Sequence, residues 1–182
     1  VLMSIEKKEK IIFDPIHGYI RMSGKCLQII DSIYFKRLQN IKQTGLLYHI
    51  FPGATHTRFE HSIGVAYLAE KLMINLKQKQ PRLNILDNTI EIVKIAALCH
   101  DLGHGPFSHS FDNEFIKQNE TIKMREHEER SCEMLKLMVR EGVVELTENE
   151  IDIICQMINP TDEELKKIYL YEIVCNKNHG ID

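Results

Sequence analysis

Thr89-Ile-Glu-Ile-Val-Lys-Ile-Ala-Ala-Leu-Cys-His-Asp-Leu-Gly-His-Gly-Pro-Phe-Ser-His109 is the stretch on which the fold turns. Ile90, Val93, Ala97 and His100 recur at helical spacing, and the period predicts a buried helix starting near Thr89. Ala96 and Ala97 let a second helix approach closely. The helix must stop near Asp101, because Gly103, Gly105 and Pro106 follow at once. Successive helical residues point about 100° apart, so His100 and Asp101 can serve one ion only where the helix ends. The glycines supply that ending.

Outward from this stretch the pattern stays helical. From Phe59 to about Leu76, Val65, Leu68 and Leu72 fall on one line with His61 at its N-terminal end, and this line is expected to face inward. A further helix is expected from Arg125 to Arg140, with Leu135, Met138 and Val139 inward and Gly142 at its end. Ser23 is placed to cap a short helix through Cys26, Leu27, Ile29 and Ile30. Ser32 is placed to cap a second, carrying Tyr34, Phe35, Leu38 and Ile41. Thr147-x-x-Glu150 and Thr161-x-x-Glu164 each have the form of a capping box. Pro52 and Gly53 punctuate a loop that runs to Arg58. Strand is suggested only at 11–13 and 19–21. The expectation is an all-α helical bundle with at most a short β-hairpin near its N-terminus. Residues 1–10 read as a tail and 11–182 as one domain.

A chain of 182 residues suffices for one compact domain with a sizeable core. With 43% hydrophobic and 27% charged residues it has an ordinary globular balance. The net charge of −3 gives no bulk field for DNA or RNA, so nucleic acid is not an expected partner. An anionic ligand must be held by local positive charge or by metal. Five cysteines are spread without a C-x-x-C pair, which reads as reduced thiols in a cytoplasmic or nuclear compartment. No apolar run approaches the roughly 18–20 residues that span a bilayer, so no membrane association is expected. The mixed, charged first ten residues do not have the form of a signal peptide.

The chemistry concentrates around the deciding stretch. His61 sits on a helix, and His100 and Asp101 end another. Two imidazoles and a carboxylate are borderline-to-hard ligands suited to a divalent transition metal such as zinc, iron, manganese or nickel. Taken singly, each residue has a plainer reading, since an inward histidine is usually a satisfied core residue. The string His100 to His109 weighs against that, because it packs three histidines and an aspartate into ten residues. Its glycines allow close backbone approach to a ligand. A structural loop has no need of three imidazoles, and a metal-dependent hydrolytic site is the expectation.

His61 with His100-Asp101 also opens the H…HD…D signature of HD-domain phosphohydrolases. Four longer strings, Asp14-Pro-Ile-His-Gly18, Phe51-Pro-Gly-Ala-Thr-His-Thr-Arg-Phe-Glu-His-Ser-Ile-Gly-Val-Ala-Tyr67, Leu98-Cys-His-Asp-Leu-Gly-His-Gly-Pro-Phe-Ser-His109 and Tyr171-Glu-Ile-Val-Cys-Asn-Lys-Asn-His-Gly-Ile-Asp182, resemble the SAM-and-HD-domain deoxynucleoside triphosphate triphosphohydrolase branch. The resemblance runs from about Ile11 to Asp182. It implies cleavage of a deoxynucleoside triphosphate to the deoxynucleoside and tripolyphosphate, with His61, His100 and Asp101 as metal ligands. It also implies that His109 and His127, with His104 and Asp112 nearby, handle the α-phosphate and the leaving 5′ oxygen. Arg58 matches an arginine that holds the phosphate chain and Gln43 a residue that reads the nucleoside. Magnesium accompanying the triphosphate and assembly into a dimer or tetramer are further implications.

Two departures qualify the resemblance. In the family the fourth metal ligand is an aspartate two positions beyond the match to Asp182, followed by a lysine and a tyrosine that bind substrate. The domain is therefore expected to be incomplete at its C-terminal end. The family's allosteric guanine-nucleotide site corresponds to Lys10, Ile11 and Asp31, but Lys36 and Gln39 replace a glutamine and an arginine there. Two alternatives stay open. One is an HD hydrolase of another nucleotide or phosphate ester, the other a non-catalytic metal- or nucleotide-binding fragment.

Overall fold

The computed structural model describes residues 8–119, 121–124, 126–161 and 169–176. The fold is all-α with one antiparallel hairpin at its N-terminal end. Strands β1 (Glu9–Asp14) and β2 (Gly18–Ser23) pair from Glu9↔Ser23 to Asp14↔Gly18. Asp14 Oδ1 accepts from the backbone N–H groups of Ile16 and His17, both at 2.8 Å, which fixes the turn. The hairpin therefore begins at Glu9, inside the stretch read as a tail.

Helices α1 (Gly24–Asp31) and α2 (Ile33–Lys36) follow. Ser23 occupies the N-cap position of α1 without a side-chain cap bond, whereas the Ser32 hydroxyl accepts from Phe35 N at 3.2 Å and caps α2. A 3₁₀ turn, Arg37–Asn40, extends α2. Helix α3 (Arg58–Lys79) packs along α4 (Asp87–Cys99), and α4 packs in turn on α6 (Glu148–Ile158). Between α4 and α5 (His127–Arg140) lies a six-residue π-helical segment, Phe111–Ile116, which the sequence did not suggest. A short helix, α7 (Tyr169–Val174), packs on α4 and α6. Thr147 and Glu150 form the expected capping box at the start of α6. Arg125, Glu164 and residues 177–182 of the C-terminal string lie outside the described residues.

Helix α4 is the axis of the core: Val93, Ile95, Ala96, Ala97, Leu98 and Cys99 are wholly buried. Large side chains of this kind contribute about 1.5–3 kcal/mol each on burial. The inward face of α3 differs from the expectation. Leu68 and Leu72 are 51% and 45% exposed, and Val65 is half-buried. The buried line is instead Ser62, Ile63, Ala66, Ala69 and Met73. Small side chains on this line let α3 lie close against α4. His61 still faces the site, because the site lies at the edge of the α3–α4 contact rather than within it. All five cysteines are free thiols. Among the described residues no helix is long and apolar enough to cross a membrane.

Candidate functional site

The end of α4 and the start of α3 bring His61, His100 and Asp101 together. His61 Nε2 lies 3.3 Å from His100 Nε2 and 3.4 Å from Asp101 Oδ2, and His100 Nε2 lies 3.5 Å from Asp101 Oδ1. Ligands about 2.1 Å from a tetrahedral ion stand about 3.4 Å apart, and one ligand atom from each of the three residues lies within 4.8 Å of the others, a spacing close enough to share one ion. The tautomer fits as well. His100 Nδ1 faces the Ala97 carbonyl at 2.7 Å, and a carbonyl only accepts, so Nδ1 carries the proton and Nε2 presents a lone pair.

Arg58 lies beside this trio with only 2% of its surface exposed. Its Nη1 donates to Asp101 Oδ2 at 2.5 Å and its Nε to Ser108 Oγ at 3.1 Å. Ser108 in turn donates to the Lys42 carbonyl at 2.9 Å. Phe107 and Ser108 both hold left-handed backbone, with φ of 63° and 54°. Two such non-glycine residues in succession cost roughly 1–2 kcal/mol each, and the bonds through Ser108 hold the loop there.

A second cluster adjoins the first through His104, whose Nε2 is 3.2 Å from Asp101 Oδ1. The His104 ring stacks on His127 with centroids 3.9 Å apart, and His109 meets both edge-on at 5.0 and 5.6 Å. Asp112 Oδ2 lies 3.8 Å from His104 Nδ1 and 3.7 Å from His127 Nδ1. His104 and Asp112 are buried, while His109 reaches solvent.

Several residues that hold this arrangement were not apparent from the sequence. Arg37 donates to the backbone carbonyls of His104, at 2.8 Å, and Leu102. Arg130 donates through Nε to the Gly103 carbonyl at 2.9 Å and through Nη2 to Asp112. The Ser131 hydroxyl donates to the His100 carbonyl at 2.7 Å and accepts from Gly103 N at 2.8 Å. In a sequence, two arginines and a serine on helical segments look like ordinary surface residues. Only a backbone whose carbonyls turn outward after Asp101 gives them this work.

Residues 58–174, nearly two thirds of the chain, match the family model of the HD domain. The chain belongs to the HD-domain family. This HD domain is 44% identical over 194 residues to the mouse (Mus musculus) deoxynucleoside triphosphate triphosphohydrolase SAMHD1, an alignment covering 95% of this chain and 30% of the relative. The Dictyostelium discoideum SAMHD1 homolog is 39% identical over 180 residues, covering 98% of this chain and 35% of the relative. A putative HD domain-containing protein of Acanthamoeba polyphaga mimivirus is 39% identical over 193 residues, covering 99% and 42%. The chain thus spans between 30% and 42% of the length of these curated relatives.

The electrostatics of the HD domain's site follow from burial and from its cations. Burial acts most strongly on Asp101 and pushes its pKa up, but His100, His104 and Arg58 together outweigh it and hold the carboxylate well below the ordinary range. Burial also lowers His104 and brings His127 down to about 3, with neighbouring His104 adding to the effect on His127. Both imidazoles are therefore neutral at rest. Their folded pKa values lie below the unfolded value of about 6.5, so as pH falls the unfolded chain takes up protons first. The stability they confer is complete above about pH 6.5 and is lost as pH falls below it, for His127 down to about 3. Denaturant titration in a chelator at pH 7.5 and pH 5 should show a loss of up to about 1.4 kcal/mol per pH unit from His127 below pH 6.5. His127→Gln should flatten the slope; an unchanged slope would remove His127 from the account.

The remaining expected residues divide into two places. Gln43 lines a cavity of about 710 Å³ with His109, Phe107, Phe111 and Phe115, and its buried Oε1 has no hydrogen-bond partner among the described residues. Lys10 and Asp31 lie on the outer side, paired at 2.6 Å, with Ile11 exposed on the same hairpin.

Proposed function

We propose that this HD domain is the catalytic core of a metal-dependent phosphohydrolase that cleaves a deoxynucleoside triphosphate to the deoxynucleoside and tripolyphosphate. One juxtaposition carries the reading. A His/Asp trio, a buried guanidinium bonded to it and a cluster of imidazoles joined through His104 stand beside a cavity lined by the Gln43 amide, whose oxygen has no hydrogen-bond partner among the described residues. The names of the mouse and Dictyostelium relatives support the substrate class.

His61, His100 and Asp101 hold a divalent transition metal, with zinc, iron, manganese or nickel all compatible with these donors. When bound, the metal supplies Lewis acidity toward a phosphate oxygen and water. Magnesium accompanies the triphosphate as its counter-ion. Arg58 offers fixed positive charge to the phosphate chain. His109 and His127 face the α-phosphate and the leaving 5′ oxygen. A phosphate anion beside neutral His127 raises its proton affinity, so the imidazole gains a proton where the leaving alkoxide needs one. Asp112, held by Arg130, sets a carboxylate beside His104 and His127, and Gln43 reads the nucleoside. On the outer side, Lys10 pairs with Asp31, and Lys36 and Gln39 replace the glutamine and arginine of the family's guanine-nucleotide site. Guanine-nucleotide-driven assembly through Lys10, Ile11 and Asp31 is therefore no part of the proposal.

The test is a panel of nucleotides incubated with metal-loaded protein and resolved by ion chromatography. Deoxynucleoside and tripolyphosphate should appear in equal amounts, with a loss of at least about 100-fold in Arg58→Ala. Orthophosphate or pyrophosphate as the first product would assign the site to a different phosphate ester.

A further inference from the structure

Helices α5 and α6 are consecutive, packed on each other and joined by residues 141–147. Cys132 stands eight residues before the end of α5, and Cys155 seven residues after the start of α6. At about 1.5 Å of rise per residue, a helical hairpin sets these two positions at nearly the same height above the connection. The coordinates agree with that register. Cys132 Sγ lies 3.7 Å from the Cys155 carbonyl oxygen. A carbonyl oxygen is about 2.4 Å from its own Cα, so the Cys132 sulfur is within about 6 Å of the Cys155 Cα. Both residues line one surface cleft of about 500 Å³, together with Glu129, Glu133, Lys136 and Asp152.

We propose that Cys132 and Cys155 form an oxidation site at which a peroxide converts the two thiols into one reversible disulfide, tying α5 to α6. The two sulfurs are not equivalent. Cys155 is half-buried and opens onto the cleft, whereas Cys132 is buried. Cys155 is therefore the nucleophile. Its thiolate attacks the peroxide, an S–O bond forms, the O–O bond breaks, and the departing hydroxide takes a proton to become water. Cys132 then attacks the sulfenic sulfur. The S–S bond forms, the S–O bond breaks, and the second hydroxide leaves with the Cys132 proton. Two thiols and one hydrogen peroxide thus give one disulfide and two waters.

Of the other buried thiols, burial pushes Cys26 up to about 12 and Cys99 higher still, which leaves both unreactive. The position also bears on the site. Cys132 follows Ser131, which holds His100 and Gly103, and the first turn of α5 carries His127 and Arg130. A bond at Cys132 constrains the helix that supplies His127, one of the three imidazoles of the cluster. The inference does not depend on the hydrolase reading.

The full chain should be treated with hydrogen peroxide, alkylated and mapped by mass spectrometry without reduction. The expected product is a cross-linked peptide pair containing Cys132 and Cys155 that separates on adding dithiothreitol. In Cys132→Ser, dimedone should label Cys155 as sulfenic acid. In Cys155→Ser, Cys132 should be consumed at least about tenfold more slowly. A bridge from Cys155 to Cys99 or Cys175 would overturn the proposal. So would both thiols remaining alkylatable at a peroxide excess that oxidises free cysteine. If either variant fails to fold, the peptide map of the unsubstituted chain decides the matter alone.

Discussion

Asp101→Asn should abolish metal retention and, at the same time, destabilise the metal-free fold. The first effect follows from removing a full negative charge among the three candidate ligands. Loss of a group that merely orients a ligand typically costs about 10–100-fold in affinity, and a ligand itself should cost more. The second effect has a separate cause. Asp101 and Arg58 are each about 2% exposed on the side chain, so a neutral amide leaves a buried guanidinium without its counter-charge. Breaking a buried pair from one side costs about 3–5 kcal/mol. The two effects come apart in a double variant. Asp101→Asn with Arg58→Met removes both charges and should recover most of the stability while still failing to hold metal. Elemental analysis and denaturant titration on the same preparations provide the readings. Stoichiometric metal in Asp101→Asn would end the metal assignment of the trio.

Gly103→Ala should be the most damaging substitution of a single hydrogen by a methyl. A Cβ built at Gly103 would stand 2.1 Å from the His127 carbonyl oxygen and 2.5 Å from Ser131 N, both backbone atoms of α5. Backbone on both sides cannot yield as a flexible side chain can, so α5 must move as a unit. Overpacking typically costs about 1–3 kcal/mol, and this contact lies at the upper end or beyond. The move also breaks the Ser131 and Arg130 bonds to the loop and separates His127 from His104. Gly53→Ala is the control, since nothing lies within 4 Å of a Cβ there. It should change stability by no more than about 0.5 kcal/mol. Equal melting temperatures for the two variants would show that α5 does not rest on this glycine.

What could be read in advance, and what could not, follows from the range over which each signal acts. Helix α4 was legible because apolar period, paired alanines and glycine stop all lie within twenty residues and agree. Ser32 and the Thr147–Glu150 box were legible because capping is a contact over three residues. The face of α3 differs from its apolar alignment: Val65, Leu68 and Leu72 align by size, but the line that packs inward runs through Ala66 and Ala69. The convergence of His61 with His100 and Asp101 could be inferred from residue type and from the forced end of α4. The stacking of His127 on His104 could not, since it depends on how α5 docks against Gly103. Arg37 and Arg130 carried no signal of their hold on the loop, because the loop groups they bind are backbone carbonyls, which no side-chain pattern encodes.

The loop after Asp101 has no regular ladder to keep its shape. Its backbone is gripped from outside by Arg37 on one segment and by Arg130 and Ser131 on another, while Ser108 pins its far end to Lys42. The ten residues from His100 to His109 are thus portable as letters but not as a geometry. Grafted onto the end of another helix, they would bring the imidazoles without their spacing. For the same reason, a change at position 37 or 130, more than twenty residues from the motif, can undo a site whose own sequence is intact.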